Sequence, residues 1–115
     1  MSETILKLGT EIQADVAILT FDGEADAHTT PILKAKLEEV LAKNVRYIIY
    51  DCKGLTYFAS AAIGASAQAH KTLRSRQGDM VFVNVADDVQ EMLKLLVARQ
   101  IRILPDLPAA MKHIK

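Results

Sequence analysis

Apolar and polar positions along the chain follow two periods, one of about two residues and one of about 3.6, in alternating segments. Residues 5–8 and 16–21 are short strand-like runs, and Gly9 and the polar residues up to Asp15 separate them, so a hairpin is expected. Residues 22–28, Asp22-Gly23-Glu24-Ala25-Asp26-Ala27-His28, read as a polar loop. Thr30 before Pro31 reads as a capping hydroxyl followed by proline in the first helical turn. Leu33, Leu37, Val40 and Leu41 then repeat at helical spacing over about residues 31–43.

Tyr47-Ile48-Ile49-Tyr50 is continuously apolar, as expected of a strand buried on both faces, with Asp51 closing it and residues 52–58 forming a connecting loop. A second helix is expected from Ser60 to about Arg76, with Gln77-Gly78-Asp79 as its stop. Residues 80–85 form another buried strand. Asp87 or Asp88 caps a third helix with a stripe of Val89, Met92, Leu93, Leu96 and Val97. Residues 101–104 are a last short strand, and Pro105 and Pro108 bracket a turn into a final helix ending near Ile114. The order is ββαβαβαβα. An α/β domain with a mainly parallel mixed sheet is expected, running from residue 1 to residue 115 without linker or repeat.

Composition narrows the function classes. With 115 residues, half of them apolar, the chain is long enough to bury a core without disulfides or a structural metal. Basic and acidic side chains balance at 14 each, which counts against nucleic acid and against a polybasic membrane contact. The lone cysteine, Cys52, has no disulfide partner in the chain and reads as a small buried residue at a strand end. Met1-Ser2-Glu3-Thr4 does not resemble a signal peptide, and no apolar run approaches the roughly 20 residues that span a bilayer. A cytoplasmic location is expected.

Nothing local asks for catalysis. His28, His70 and His113 are far apart in sequence and lack metal-ligand spacing, and Asp51-Cys52-Lys53-Gly54 is not a phosphate loop. Ser60, between Ala59 and Ala61, is outside a nucleophile-elbow setting. No catalytic residue, metal or cofactor is expected. Ser60 reads either as a helix cap alone or as a phosphorylation site at the positive end of a helix dipole. A phosphate there would add about two negative charges to the surface without refolding the domain. The small residues after Ser60 would let a partner approach the backbone, and Ala61, Ala65 and Ala69 outline a groove suited to a small ligand. Asp26, Asp51 and Ser60 each follow a strand and are expected to share one edge of the sheet.

These segments resemble the STAS domain, and within it the stand-alone bacterial anti-sigma-factor antagonists. The likeness lies in residues 16–21 with Gly23-Glu24-Ala25-Asp26, in the strand ending at Asp51, in Phe58-Ala59-Ser60-Ala61-Ala62-Ile63-Gly64, in the strand and helix at 80–84 and 89–96, and in the last strand and helix. The resemblance implies a protein-binding domain, not an enzyme. Its partner would be a serine kinase that doubles as an anti-sigma factor, and a metal-dependent serine phosphatase would reverse the phosphorylation. It maps the phosphorylated serine onto Ser60 and the loop aspartate onto Asp26. Partner contacts fall on Asp26, Ala59, Ser60, Ala61, Ala62 and Gly64. The motif departs from the family's Asp-Ser-Ser/Thr-Gly at Ala59, Ala61 and Ala62, so an unswitched scaffold and a small-ligand sensor stand as alternatives. A monomer or weak homodimer is expected.

Overall fold

Alternating side chains along the strands build two unequal layers. The computed structural model describes residues 5–114, and of residues 95–100 the backbone only. Residues 1–4, where the absence of a leader was read, and the side chains of Leu96 and Val97 in the third-helix stripe lie outside the described residues. The elements are β1 (Leu6–Gln13), β2 (Val16–Ala25), α1 (Thr30–Leu41), β3 (Tyr47–Phe58), α2 (Ser60–Ser75), β4 (Asp79–Val83), α3 (Asp87–Gln100), β5 (Arg102–Leu104) and α4 (Leu107–Ile114). The strands lie side by side in chain order; β1 runs antiparallel to β2 and the other neighbours are parallel. This is the α/β architecture and element order expected from the sequence.

One face of the sheet carries the larger core. Ala17, Leu19 and Phe21 of β2, Ile48 and Tyr50 of β3, and Met80 and Phe82 of β4 point into it. Leu33 and Leu37 of α1, Ala69 and Leu73 of α2, and Val89 and Leu93 of α3 cover them. Phe21, Tyr50, Phe58 and Phe82 form an aromatic cluster, with the Phe21 and Tyr50 rings 4.6 Å apart and those of Tyr50 and Phe82 4.5 Å apart. Alternate residues Val16, Ile18, Ile49, Val81 and Val83 face the other way and meet α4 through Ala110, Leu107 and Met111.

Several boundaries differ from the sequence reading, for one shared reason. β1 continues to Gln13 with a turn of only Ala14 and Asp15, β2 runs on through Ala25, and β3 through Phe58. The segments at 22–25 and 52–58 are therefore strand, not loop, and Asp51 sits inside β3 rather than closing it. They looked like loops because α4 covers only part of its face. Thr20, Asp22 and Lys53 lie on the uncovered part and are exposed, while Phe21, Ala25 and Cys52 alternate into the core. Two register irregularities break the β2–β3 pairing, between Thr20 and Asp22 and between Gly23 and Glu24. Gly23 fits there because it adopts φ +121° and a Cβ would lie 2.1 Å from the Ile5 carbonyl oxygen. Among the described residues no helix is long and apolar enough to cross a membrane.

Candidate functional site

The last register pair of β2 and β3, Ala25 with Phe58, sets the geometry of the candidate surface. Beyond it the chains stay joined, the Ala59 N–H donating to the Ala25 carbonyl at 2.8 Å. The segment after β2 and the start of α2 are therefore neighbours, and Asp26 and Ser60 share one end of the sheet, as expected.

Thr29 organises the Asp26 turn. The Asp26 N–H donates to Thr29 Oγ1 at 2.9 Å, the Thr29 N–H donates to Asp26 Oδ1 at 2.9 Å, and the Thr29 hydroxyl donates to the Glu24 carbonyl at 2.7 Å. Thr30 Oγ1 adds a bond of 2.6 Å to the Asp26 carbonyl. Thr29 is the cap residue of α1 and Thr30 its first residue, and neither hydroxyl caps the helix: both turn back to the Glu24–Asp26 segment, which corrects the capping reading of Thr30. The sequence reading missed Thr29, although Thr29-Thr30-Pro31 ahead of an apolar stripe was the available signal.

At α2 the cap residue is Ala59, with extended backbone at φ −83° and ψ 165° and no side-chain bond. The first helical bond runs from the Ile63 N–H to the Ala59 carbonyl at 3.0 Å. Ser60 is thus the first helical residue and not the cap, which corrects the capping reading of its hydroxyl. The third helix shows the same offset: Ala86 is its cap residue and Asp87 and Asp88 lie in its first turn. Ser60, Ala61 and Gly64 are exposed and Ala59 and Asp26 half-buried. Ala62 is fully buried against the core, so its methyl group lies beneath the surface rather than on it. A Cβ added at Gly64 would meet nothing within 4 Å.

Asp51 does not join this site. It precedes Phe58 by seven residues along β3, roughly 20 Å at strand rise, and its carboxylate accepts from Asn84 Nδ2 at 3.0 Å and from the Lys53 N–H at 3.2 Å. Burial pushes the Cys52 thiol up, with the Asp51 charge adding to the shift. Cys52 is buried and points into the main core, as the reading of a small interior residue anticipated, although it lies within β3 rather than at a strand end.

Deeper in α2 the helix is tied to the sheet. The buried Tyr50 hydroxyl meets Ser66 Oγ at 2.8 Å, and Ser66 donates to the Ala62 carbonyl at 2.9 Å. Burial also raises the phenol's pKa, and the Ser66 bond partly opposes that shift. His70 Nε2 lies 3.0 Å from Asp79 Oδ1, and His113 Nε2 lies 3.6 Å from Asp79 Oδ2, so the fold gathers two histidines that are distant in sequence. Among the described residues no group of three or more His, Cys, Asp or Glu side chains forms a metal-binding arrangement. Between α1 and α2 an open groove of about 360 Å³ is lined by Leu37, Leu41, Ala65 and Ala69, with Lys34 and Gln68 at its rim. Ala65 and Ala69 thus face a groove as expected, whereas Ala61 does not line it.

The model of the STAS domain matches residues 7–107. The chain belongs to the STAS domain family. This STAS domain is 30% identical over 73 residues to the anti-sigma-B factor antagonist of Listeria monocytogenes, a match covering 64% of this chain and 64% of that protein. The aligned stretch thus spans just under two thirds of that relative. An anti-sigma factor antagonist from Mycobacterium paratuberculosis superposes with a TM-score of 0.84 at 19% identity, covering 96% of this chain and 94% of that one. The Bacillus cell-fate determinant SpoIIAA in its phosphorylated form superposes at 0.70 with 15% identity, covering 96% and 100%. The fold of this STAS domain is therefore that of the anti-sigma factor antagonists.

Proposed function

We propose that this STAS domain binds a serine kinase that doubles as an anti-sigma factor, through the surface around Ser60, and that phosphorylation of Ser60 ends the complex. A metal-dependent serine phosphatase would restore it. The domain is then the substrate of an enzyme and acts in the cytoplasm as a monomer or weak homodimer. The observation that carries this reading is the position of Ser60: an exposed hydroxyl on the first residue of α2, beside the Asp26 turn.

That position suits a switch. The N–H groups of the first helical turn have no preceding carbonyl to satisfy them and face an anion at the positive end of the helix dipole. A phosphate on Ser60 would remain on the surface, where its charge of about −2 meets an approaching partner without disturbing the core. The relative named as an anti-sigma-B factor antagonist supports the choice of partner. Incubation with the cognate kinase and ATP is expected to label Ser60 and to leave Ser60→Ala unlabelled. Equal labelling of the two proteins, or labelling of neither, overturns the switch.

Ala59 and Ala61 favour a second reading, a fixed scaffold, because they leave Ser60 without the carboxylate and second hydroxyl of the motif it resembles. The scaffold requires Ser60→Asp to bind the partner as tightly as wild type. The switch requires at least a tenfold loss, about 1.4 kcal/mol.

A further inference from the structure

The two edges of the sheet differ. β5 closes one side with only three residues, Arg102–Leu104. β1 closes the other with eight, Leu6–Gln13, paired to β2 in unbroken register and without proline. Past Leu8 every residue of β1 is exposed. The phase of the ladder shows which backbone groups point outward. The Glu24 N–H donates to the Ile5 carbonyl at 3.0 Å, so residues 5, 7, 9, 11 and 13 direct their bonding groups to β2. Leu6, Leu8, Thr10 and Ile12 then direct their N–H and C=O groups away from the sheet.

Such an edge is a template for another strand unless charge, proline or a bulge blocks it. β1 carries two charges, Lys7 and Glu11, of opposite sign and on the face away from Leu6 and the main core. Neither makes an ion pair among the described residues. Across β2, Lys7 stands opposite Asp22 and Glu11 opposite Ile18, and Glu11 accepts a hydrogen bond from the Gln13 amide. Midway between the two charges is Gly9. Glycine weakens a strand interior and often marks the close approach of another backbone. Nothing within this chain demands it: Gly9 has no left-handed φ, and a Cβ there would meet only Thr20 Cβ, at 3.7 Å, in ordinary contact.

We propose that β1 pairs antiparallel with β1 of a second copy of this chain, about a two-fold axis at Gly9. The register follows from ladder phase and charge complementarity together. An axis at Gly9 sets Lys7 opposite the second copy's Glu11, and Glu11 opposite its Lys7. These are non-hydrogen-bonded pairs, the closer kind, with Cα atoms about 4.5 Å apart. Leu6 then exchanges bonds with the second copy's Ile12, and Leu8 with its Thr10. All four outward-facing residues are used, and Ile12, which is 38% exposed, gains an apolar neighbour. An axis at Lys7 or Glu11 would oppose like charges, and one at Leu8 or Thr10 would leave the two charges apart. The contact is confined to one strand from each copy, short of a standard interface, so the dimer is weak and forms with rising concentration. It gives a surface to the homodimer of the proposed function and does not depend on kinase binding, since β1 contains none of the residues around Ser60.

The test is sedimentation equilibrium of the full chain at concentrations up to about 1 mM. Wild type is expected to dimerise. Lys7→Glu and Glu11→Lys should each weaken self-association at least tenfold. An equimolar mixture of the two should recover it, because each chain then offers the other only opposite charges. Thr10→Pro removes an outward N–H and no bond to β2, and should likewise abolish the dimer. Thermal midpoints close to wild type would show that the variants fold. A wild-type chain that stays monomeric throughout overturns the proposal and leaves the Ser60 reading untouched. A dimer that survives all three substitutions lies on another surface and overturns it too. Charge variants that are monomeric alone and stay so when mixed overturn the register and, with it, the axis at Gly9.

Discussion

The two ends of α2 are built on different terms. Its start has an alanine as cap residue with no side-chain bond, an exposed serine, an exposed alanine and an exposed glycine with open space where a Cβ would stand. From Ser66 onward the same helix is tied down. Ser66 bonds Tyr50, His70 bonds Asp79, Leu73 is fully buried, and the Arg76 guanidinium donates to the Val45 carbonyl at 3.1 Å. The helix is thus anchored by side-chain bonds from its middle and its C-terminal end, while its first turn packs through Ala62 and Ile63 alone and leaves Ser60 and Ala61 on the surface. A surface organised this way can change its charge or lose a side chain and remain in place. Packing and exposed surface are separable along one helix, and substitutions at the two ends should differ in kind.

The largest effect belongs to the anchored end. Leu73→Ala removes a fully buried side chain from the core beneath α2 and is expected to cost about 2–5 kcal/mol, read as a shift of the urea midpoint. A loss below about 1 kcal/mol would mean that this end is held no more tightly than the first turn, and the contrast would fail.

A smaller effect of opposite sign is expected at the bare end. Ala59 has the extended backbone of a cap residue but no side chain able to accept a hydrogen bond. Ala59→Asp would place a carboxylate within reach of the Ala61 or Ala62 N–H and stabilise the domain by about 1 kcal/mol. Salt screens the attraction of that carboxylate to the helix dipole, so the electrostatic part of the gain should shrink as salt is added while the hydrogen bond remains. No gain at any ionic strength would show that the first turn already has its N–H groups satisfied.

What the sequence made legible, and what it hid, follows the same division between covered and uncovered surface. Where both faces of a strand are buried, as at Tyr47-Ile48-Ile49-Tyr50 and Met80-Val81-Phe82-Val83, apolar continuity located the strands well. Where one face of the sheet is open, the alternation of Asp22 and Glu24 with Gly23 and Ala25 read as a loop, and Lys53, Gly54 and Thr56 hid the second half of β3. The neighbourhood of Asp26 and Ser60 was legible because both follow parallel strands. Asp51 was misplaced because its strand continues. The buried side of Ala62 was invisible, since a run of small residues shows no apolar periodicity.

The smallest expected effect is the sharpest test of the contrast. Among the described residues the Ser60 hydroxyl has no hydrogen-bond partner, and its side chain is exposed. Ser60→Ala therefore removes no packing and no bond, and alanine has the higher helix propensity. Its stability should stay within about 0.5 kcal/mol of wild type, measured by denaturant titration. A loss above about 1 kcal/mol would make the serine a structural residue like Ser66, whose hydroxyl is buried and bonded on two sides, and the first turn would no longer differ from the rest of the helix. A neutral result has a positive consequence. The hydroxyl at position 60 then contributes nothing to folding, and a loss of kinase labelling or of partner control in the same variant can be read as chemistry at that oxygen, not as damage to the domain that presents it.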